Sequence, residues 1–218
     1  SLVMSVAIAN SAPSRRTASK ETRRQQLIQA TIRSIAKYGL SDTTVATVAR
    51  EAKLSQGIVN LHFQSKQGLL IETLKSVADE YKDAWEKALA NAGPSNAEQL
   101  EALVNVDFCP AVCDRTKIAV WFAYWSETKS RPTYRKLCAE RDRGYDRILN
   151  ELLKALIAEG NYKSMDADAI TDGLSAMSAG LWLDLLVDPR GMSRERARKS
   201  CRMFLSQLFP KHFKPQLD

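Results

Sequence analysis

The residues whose types suit them to chemistry gather between Thr44 and Lys66, and that chemistry is recognition of a nucleic acid. The carboxamides of Gln56 and Asn60 can pair bidentately with an adenine edge, and Leu61 offers an apolar contact for a thymine methyl. Gly57 either lets DNA approach the backbone or lets its helix pack closely on a neighbour. Thr44, Ser55, His62 and Lys66 add hydrogen-bond donors to the same stretch, and donors on phosphate oxygens hold register without reading sequence. Ser65 and Lys66 also open a helix, whose free amides attract an anion. His62 has a second reading, as the cap of a core closed by Phe63. Upstream, Arg15, Arg16, Lys20, Arg23 and Arg24 form a basic arm, either a groove or phosphate contact or a solvated tail.

A second cluster is aromatic. Trp121, Tyr124 and Trp125 fall at i, i+3 and i+4, which places them on one helix face. With Trp182 they line a ligand pocket or fill a core. A ring of such side chains is the physical means of holding a quaternary ammonium. Glu127, Asp172 and Asp184 are acids whose relation to the rings the spacing does not fix. Other chemistry is poorly supplied. The chain has no nucleophile elbow, Gly-rich phosphate loop or HExxH motif, which argues against an enzyme. Cys109, Cys113, Cys138 and Cys201 with two histidines lack the paired spacing of structural zinc, so neither metal nor cofactor is expected and the thiols read as reduced core residues.

These side chains need helices to position them, and the pattern is all-α. Val45, Val48, Ala49 and Ala52 recur at helical spacing behind Thr44 as N-cap. After the turn Lys53-Leu54, Ser55 caps a second short helix with Ile58, Leu61 and Val59 as its apolar residues. Two such helices form a helix-turn-helix, whose second member fits a DNA major groove. Before them runs a helix from a Ser19 cap, with Leu27, Ile28, Ile32 and Ile35 on one face and Gly39 as its stop. After them comes a long helix from Ser65 to about Ala92. Further helices are expected from a Ser95 or Asn96 cap to about Phe108, then over Arg115 to Lys129, Tyr134 to Glu159, Asp166 to Val187, and onward from Ser193. Three units result: a disordered basic tail over 1–18, a DNA-binding head over 19–64, and a ligand-binding and dimerisation body over 65–218.

Charge supports that division. The chain carries a formal +7, and residues 1–66 hold ten Lys/Arg against three Asp/Glu, so the whole surplus lies there. A polyanion is expected to dock on that part. The apolar patch Val3 to Ala9 lacks a basic start and is too short for a secretory core or a membrane span, so no membrane partner and a cytoplasmic location are expected.

In their order and spacing, Gly39, Thr44, Val48, Ala49, Ala52, Ser55, Gly57, Phe63, Lys66 and Leu69-Leu70 resemble the TetR family of bacterial transcriptional regulators. The resemblance implies a homodimer paired through the last two helices, a double-stranded DNA operator, and a small-molecule effector whose binding releases that operator. Thr44, Ser55, His62 and Lys66 match the family's backbone-contacting positions. Val120 to Trp125 and Gly180 to Leu183 are similar to stretches of the choline-responsive, BetI-like branch, which implies a quaternary ammonium effector. A regulator of the same fold sensing an unrelated hydrophobic ligand, and a nonspecific DNA-binding protein, remain as alternatives. Lys53 stands where the family often has Gly, so a left-handed turn there would be strained.

Overall fold

Helix starts follow the capping residues closely. In this computed structural model the backbone of residues 15–215 and the side chains of 19–215 are described. Among them nine helices occur and no strand: α1 (Arg15–Tyr38), α2 (Val45–Ala52), α3 (Gln56–Phe63), α4 (Lys66–Asn91), α5 (Asn96–Val106), α6 (Arg115–Glu127), α7 (Pro132–Gly160), α8 (Ala167–Val187) and α9 (Arg194–Leu208). Ser55, Ser65, Asp114 and Ser193 each accept a backbone N–H inside the following helix, and Ser95 pairs with Glu98 in a reciprocal capping box.

Two starts differ from the sequence expectation. α1 begins at Arg15 rather than after Ser19, because nothing between Pro13 and Lys20 breaks a helix. Arg15 and Arg16 therefore belong to a helix and not to a loose tail, while the expected disorder of 1–14 falls outside the described residues. α7 begins at Pro132 rather than Tyr134, since proline fits the first helical position, where no amide hydrogen is needed.

α1, α2 and α3 form the head around Leu27, Ile35, Val48, Val59 and Phe63, all buried. Polar groups inside it are satisfied. The Ser34 hydroxyl lies 3.1 Å from that of Thr43 and 2.9 Å from that of Thr47, and Thr43 donates to the Gly39 carbonyl at 2.8 Å. This ties α1 to the start of α2. Gly39 ends α1 at φ +83, a left-handed position that glycine adopts freely.

α4 leaves the head and packs against α5 and α7, with Leu74, Val77, Tyr81 and Trp85 inward. α7 packs also on α6 and α8, while α9 lies against α5 and α8. α6 returns to touch α1, so the body holds the head at two places, α4 and α6. Among the described residues α8 is the helix long and apolar enough by composition to cross a membrane. Its Ser175 and Ser178 hydroxyls and its Trp182 indole instead hydrogen-bond to groups of α7 and to Asp107 within the bundle.

Candidate DNA-reading head and effector cavity

On α3, Val59 and Phe63 are buried and leave Gln56, Gly57, Asn60 and Leu61 facing solvent. Leu61 is 78% exposed, so its expected place on the apolar side of that helix is corrected to the outer face, where it stands beside Asn60. Ser55 Oγ accepts the Ile58 amide at 3.3 Å, and Thr44 Oγ1 accepts the Thr47 amide at 3.1 Å; both residues are exposed at helix starts. His62 is half-buried in the last turn of α3. Lys66 Nζ donates to the Ser41 carbonyl at 3.4 Å, leaving the ammonium near the surface.

The turn between α2 and α3 is made by Lys53 at φ 57, ψ 42, the left-handed conformation whose strain the family resemblance raised for a residue other than glycine. Gln64 also has a positive φ, 54 with ψ −35, and the Ser65 amide donates back to the Phe63 carbonyl. Two side-chain-bearing residues in this region thus set how α3 lies between α2 and α4.

The basic arm does not act as a unit. Lys20 is exposed, and Arg23 donates to Gln26 at 2.9 Å. Arg24 pairs with Glu72 of α4 at 2.8 Å, and its guanidinium lies 4.7 Å from the centre of the Phe63 ring. Arg24 is therefore a brace among α1, α3 and α4 and not a free arm residue, because α1 extends through it and turns it inward. The side chains of Arg15 and Arg16 are outside the described set.

The aromatic cluster is also divided. A cavity of about 440 Å³ lies among α4, α6, α7 and α8, with Tyr81, Trp125, Tyr145 and Trp182 among its walls. Trp121 backs it, stacked on Trp125 at 5.8 Å between ring centres, and Trp125 stacks on Trp182 at 6.1 Å. Tyr124 does not line it. Its ring packs edge-on to Tyr134 and its hydroxyl donates to the Leu70 carbonyl of α4 at 2.7 Å. The one-face arithmetic fails for Tyr124 because α6 is buried on two sides, toward the cavity and toward α4.

Several cavity residues had no place in the sequence reading. Arg141 of α7 puts its guanidinium 3.9 Å from the Tyr81 ring centre, 4.5 Å from Trp121, and 5.6 Å from both Trp125 and Trp182. It also pairs with Asp142 at 2.6 Å. Burial lowers its pKa, but Tyr81, Asp142 and Asp107 outweigh that effect and keep the group cationic. Asp107 is buried between α5 and the cavity, accepting from Tyr81 at 2.5 Å and from Ser178 at 2.8 Å. Burial pushes its carboxyl above the usual range, while those donors and the Arg141 charge pull the other way. A signal for Arg141 did exist: Tyr134, Cys138, Tyr145, Leu149, Leu152 and Leu156 form the buried stripe of α7, and position 141 falls on it. A charged residue on a buried stripe needs partners.

The expected reading of the cysteines rests on burial. Cys138 is pushed up to about 11, and Cys113 and Cys201 to about 12, so these thiols stay protonated and unreactive.

Comparison with known proteins agrees with both halves. Residues 27–73 match the model of bacterial regulatory proteins of the tetR family, and residues 96–210 match that of the BetI-type transcriptional repressor C-terminal domain. The HTH-type transcriptional regulator BetI 1 of Chromohalobacter salexigens is 32% identical over 178 residues, 81% of this chain and 85% of that protein. The regulator BetI of Burkholderia thailandensis is 36% identical over 165 residues, 75% and 82% of the two chains. A transcriptional regulator from Saccharomonospora viridis, solved in complex with choline, superposes with a TM-score of 0.76 at 24% identity, over 85% of this chain and 96% of its own. With a helix-turn-helix head, a helical body of matching type and a cavity within that body, the chain belongs to the TetR family, with a BetI-type C-terminal domain, and is a ligand-responsive DNA-binding transcriptional regulator.

Proposed function

We propose that the chain is a repressor that acts as a homodimer through α8 and α9 and leaves its operator when a quaternary ammonium such as choline enters the aromatic cavity. The observation that carries this reading is the convergence of four rings, Tyr81, Trp121, Trp125 and Trp182, on one cationic position. The choline-bound relative has the same fold. An uncharged hydrophobic effector fits less well, since Arg135, Arg141, Asp142 and Asp146 all reach this cavity and would be left to an apolar neighbour.

Pairing is supported by the outer surfaces of the last two helices. Leu183, Val187, Met203 and Phe204 are exposed there. Gly173, Ala176, Gly180, Leu183 and Val187 recur along one exposed stripe of α8, with open space at both glycines, so a second helix can approach closely. Each protomer then offers α3 to a major groove, with Gln56, Gly57, Asn60 and Leu61 toward base edges. Thr44, Ser55, His62 and Lys66 face phosphates. Arg15, Arg16, Lys20 and Arg23 are left as the arm's candidates for DNA.

The route from cavity to head runs through α6 and α4. Trp121 and Trp125 sit at the cavity, and Tyr124 on the same helix holds the Leu70 carbonyl near the start of α4. A shift of α6 on effector binding moves the point where α4 leaves the head, which changes the distance between two heads in a dimer.

Calorimetry with choline, betaine aldehyde and the neutral isostere 3,3-dimethylbutanol tests the effector class. Both cations are expected to bind below about 1 mM and the neutral compound at least about tenfold more weakly, since cation–π attraction in a desolvated site reaches about 2 kcal/mol. Binding of the neutral compound as tightly as the cations would defeat the reading.

A further inference from the structure

We propose that Arg141 is a resident cation of the aromatic cage, and that a quaternary ammonium effector binds by displacing its guanidinium from the rings. The inference rests on the effector class proposed above and adds the residue that sets its affinity and couples it to the fold.

The guanidinium occupies the place an effector's ammonium would take. Four ring centres from three helices, α4, α6 and α8, surround it at 3.9 to 5.6 Å, and the Arg141 side chain is only 11% exposed. The two cannot share this position, because like charges at contact distance in a desolvated site repel. The effector must therefore compete with the chain's own side chain.

The chemistry of the two cations decides how that competition ends. A guanidinium carries five N–H donors. Here one nitrogen meets Asp142, while Nε is buried without a hydrogen-bond partner. The cage supplies rings where this group also wants acceptors. A quaternary ammonium has no N–H to satisfy, so the same rings serve it without an unmet donor. Once displaced, the guanidinium has acceptors close by. Asp142 is half-exposed, and Asp146, also at the cavity, accepts from the Ser175 hydroxyl at 2.7 Å.

Displacement also has a structural consequence. Arg141 bridges α7 to Tyr81 of α4, to both tryptophans of α6 and to Trp182 of α8. α4 is the helix that begins at the DNA head, so withdrawing the guanidinium releases a contact that holds this helix against α7. An effector that only filled empty space would lack this leverage, because it would favour neither arrangement over the other.

The test uses the full-length chain and its Arg141→Met and Arg141→Lys variants, with tetramethylammonium, choline, glycine betaine and methylguanidinium as probes. Binding is followed by tryptophan fluorescence and calorimetry, and folding by circular dichroism. If the guanidinium fills the cage in more than about 90% of molecules, the apparent Kd is weakened about tenfold or more. Tetramethylammonium and choline are therefore expected to bind Arg141→Met about tenfold or more tightly than the natural chain. Arg141→Lys is expected to lie between them, since an ammonium is better hydrated and leaves the cage more readily. Methylguanidinium is expected to bind Arg141→Met and not the natural chain, a result independent of the effector.

Equal or weaker tetramethylammonium binding by both folded variants overturns displacement and leaves the effector class standing. Tighter binding of glycine betaine than of choline by the natural chain, lost in Arg141→Met, also overturns it, by making Arg141 a partner of the ligand's carboxylate. Absence of methylguanidinium binding to Arg141→Met overturns residence in the cage. Failure of every quaternary ammonium on all three proteins, with methylguanidinium rescue intact, overturns the effector class and displacement with it.

Discussion

In the proposed reading, Lys66 holds the DNA backbone and Asn60 reads a base edge. Lys66 places a charge at the start of α4, where the Ser41 carbonyl already orients it. Asn60 stands exposed on the outer face of α3. Phosphate contacts contribute to all sequences alike, whereas a carboxamide on an adenine edge contributes to one base pair. Lys66→Ala is expected to weaken operator and random DNA equally and to lower the slope of log K against log salt by about one per head. Asn60→Ala is expected to leave that slope intact and to cost about 1–3 kcal/mol at one position of each half-site. Salt titrations by fluorescence anisotropy, with sequence selection on both variants, measure this. An unchanged slope for Lys66→Ala or an unchanged sequence preference for Asn60→Ala removes the respective assignment.

At the scale of elements, the turn between α2 and α3 and the helix α6 matter most. Lys53 sits at φ 57 with its amide donating to the Arg50 carbonyl at 3.1 Å. A non-glycine residue there costs about 1–2 kcal/mol, and glycine recovers this less its own entropy of about 0.5–1 kcal/mol. Lys53→Gly is expected to stabilise the chain by about 0.5–1 kcal/mol, raising Tm by about 1–4 °C. A lower melting temperature in calorimetry would mean that the lysine side chain stabilises the head by a route the backbone angle does not reveal. α6 has a different task. Trp125 lines the cavity with Trp121 stacked behind it, and Tyr124 holds α4, so one helix links the cavity to the helix that begins at the head.

For the whole molecule the decisive surface is the one left uncovered. Phe204 is 54% and Val187 68% exposed, on helices whose opposite faces bury Trp182, Leu185, Cys201 and Leu205. A two-fold partner covers each such residue twice, once per protomer. Phe204→Asp is expected to weaken dimerisation by about two orders of magnitude, from lost apolar burial and a desolvated carboxylate in each copy. Analytical ultracentrifugation is then expected to show monomer at concentrations where the natural chain sediments as a dimer. Operator affinity is expected to fall with it, since two heads must bind two half-sites together. A dimer of unchanged strength would place the interface elsewhere.

Taken alone, the sequence determined what depends on neighbours along the chain. Thr44, Ser55, Ser65, Ser95 and Ser193 announce helix starts because a cap needs only the next three residues. The helix-turn-helix and the basic head were legible for the same local reason, while the cost at Lys53 followed from the family resemblance. The tertiary structure decided what depends on several helices at once. Leu61 is apolar yet faces water, because Val59 and Phe63 already anchor α3. Tyr124 shares a helical face with Trp121 and Trp125 but meets α4 and Tyr134, since α6 is enclosed on two sides. Arg141 gains its meaning from rings on α4, α6 and α8, residues 40 positions or more away on the first and third of these. Periodicity can mark a charge on a buried stripe, but only packing supplies the partners that make burying it possible.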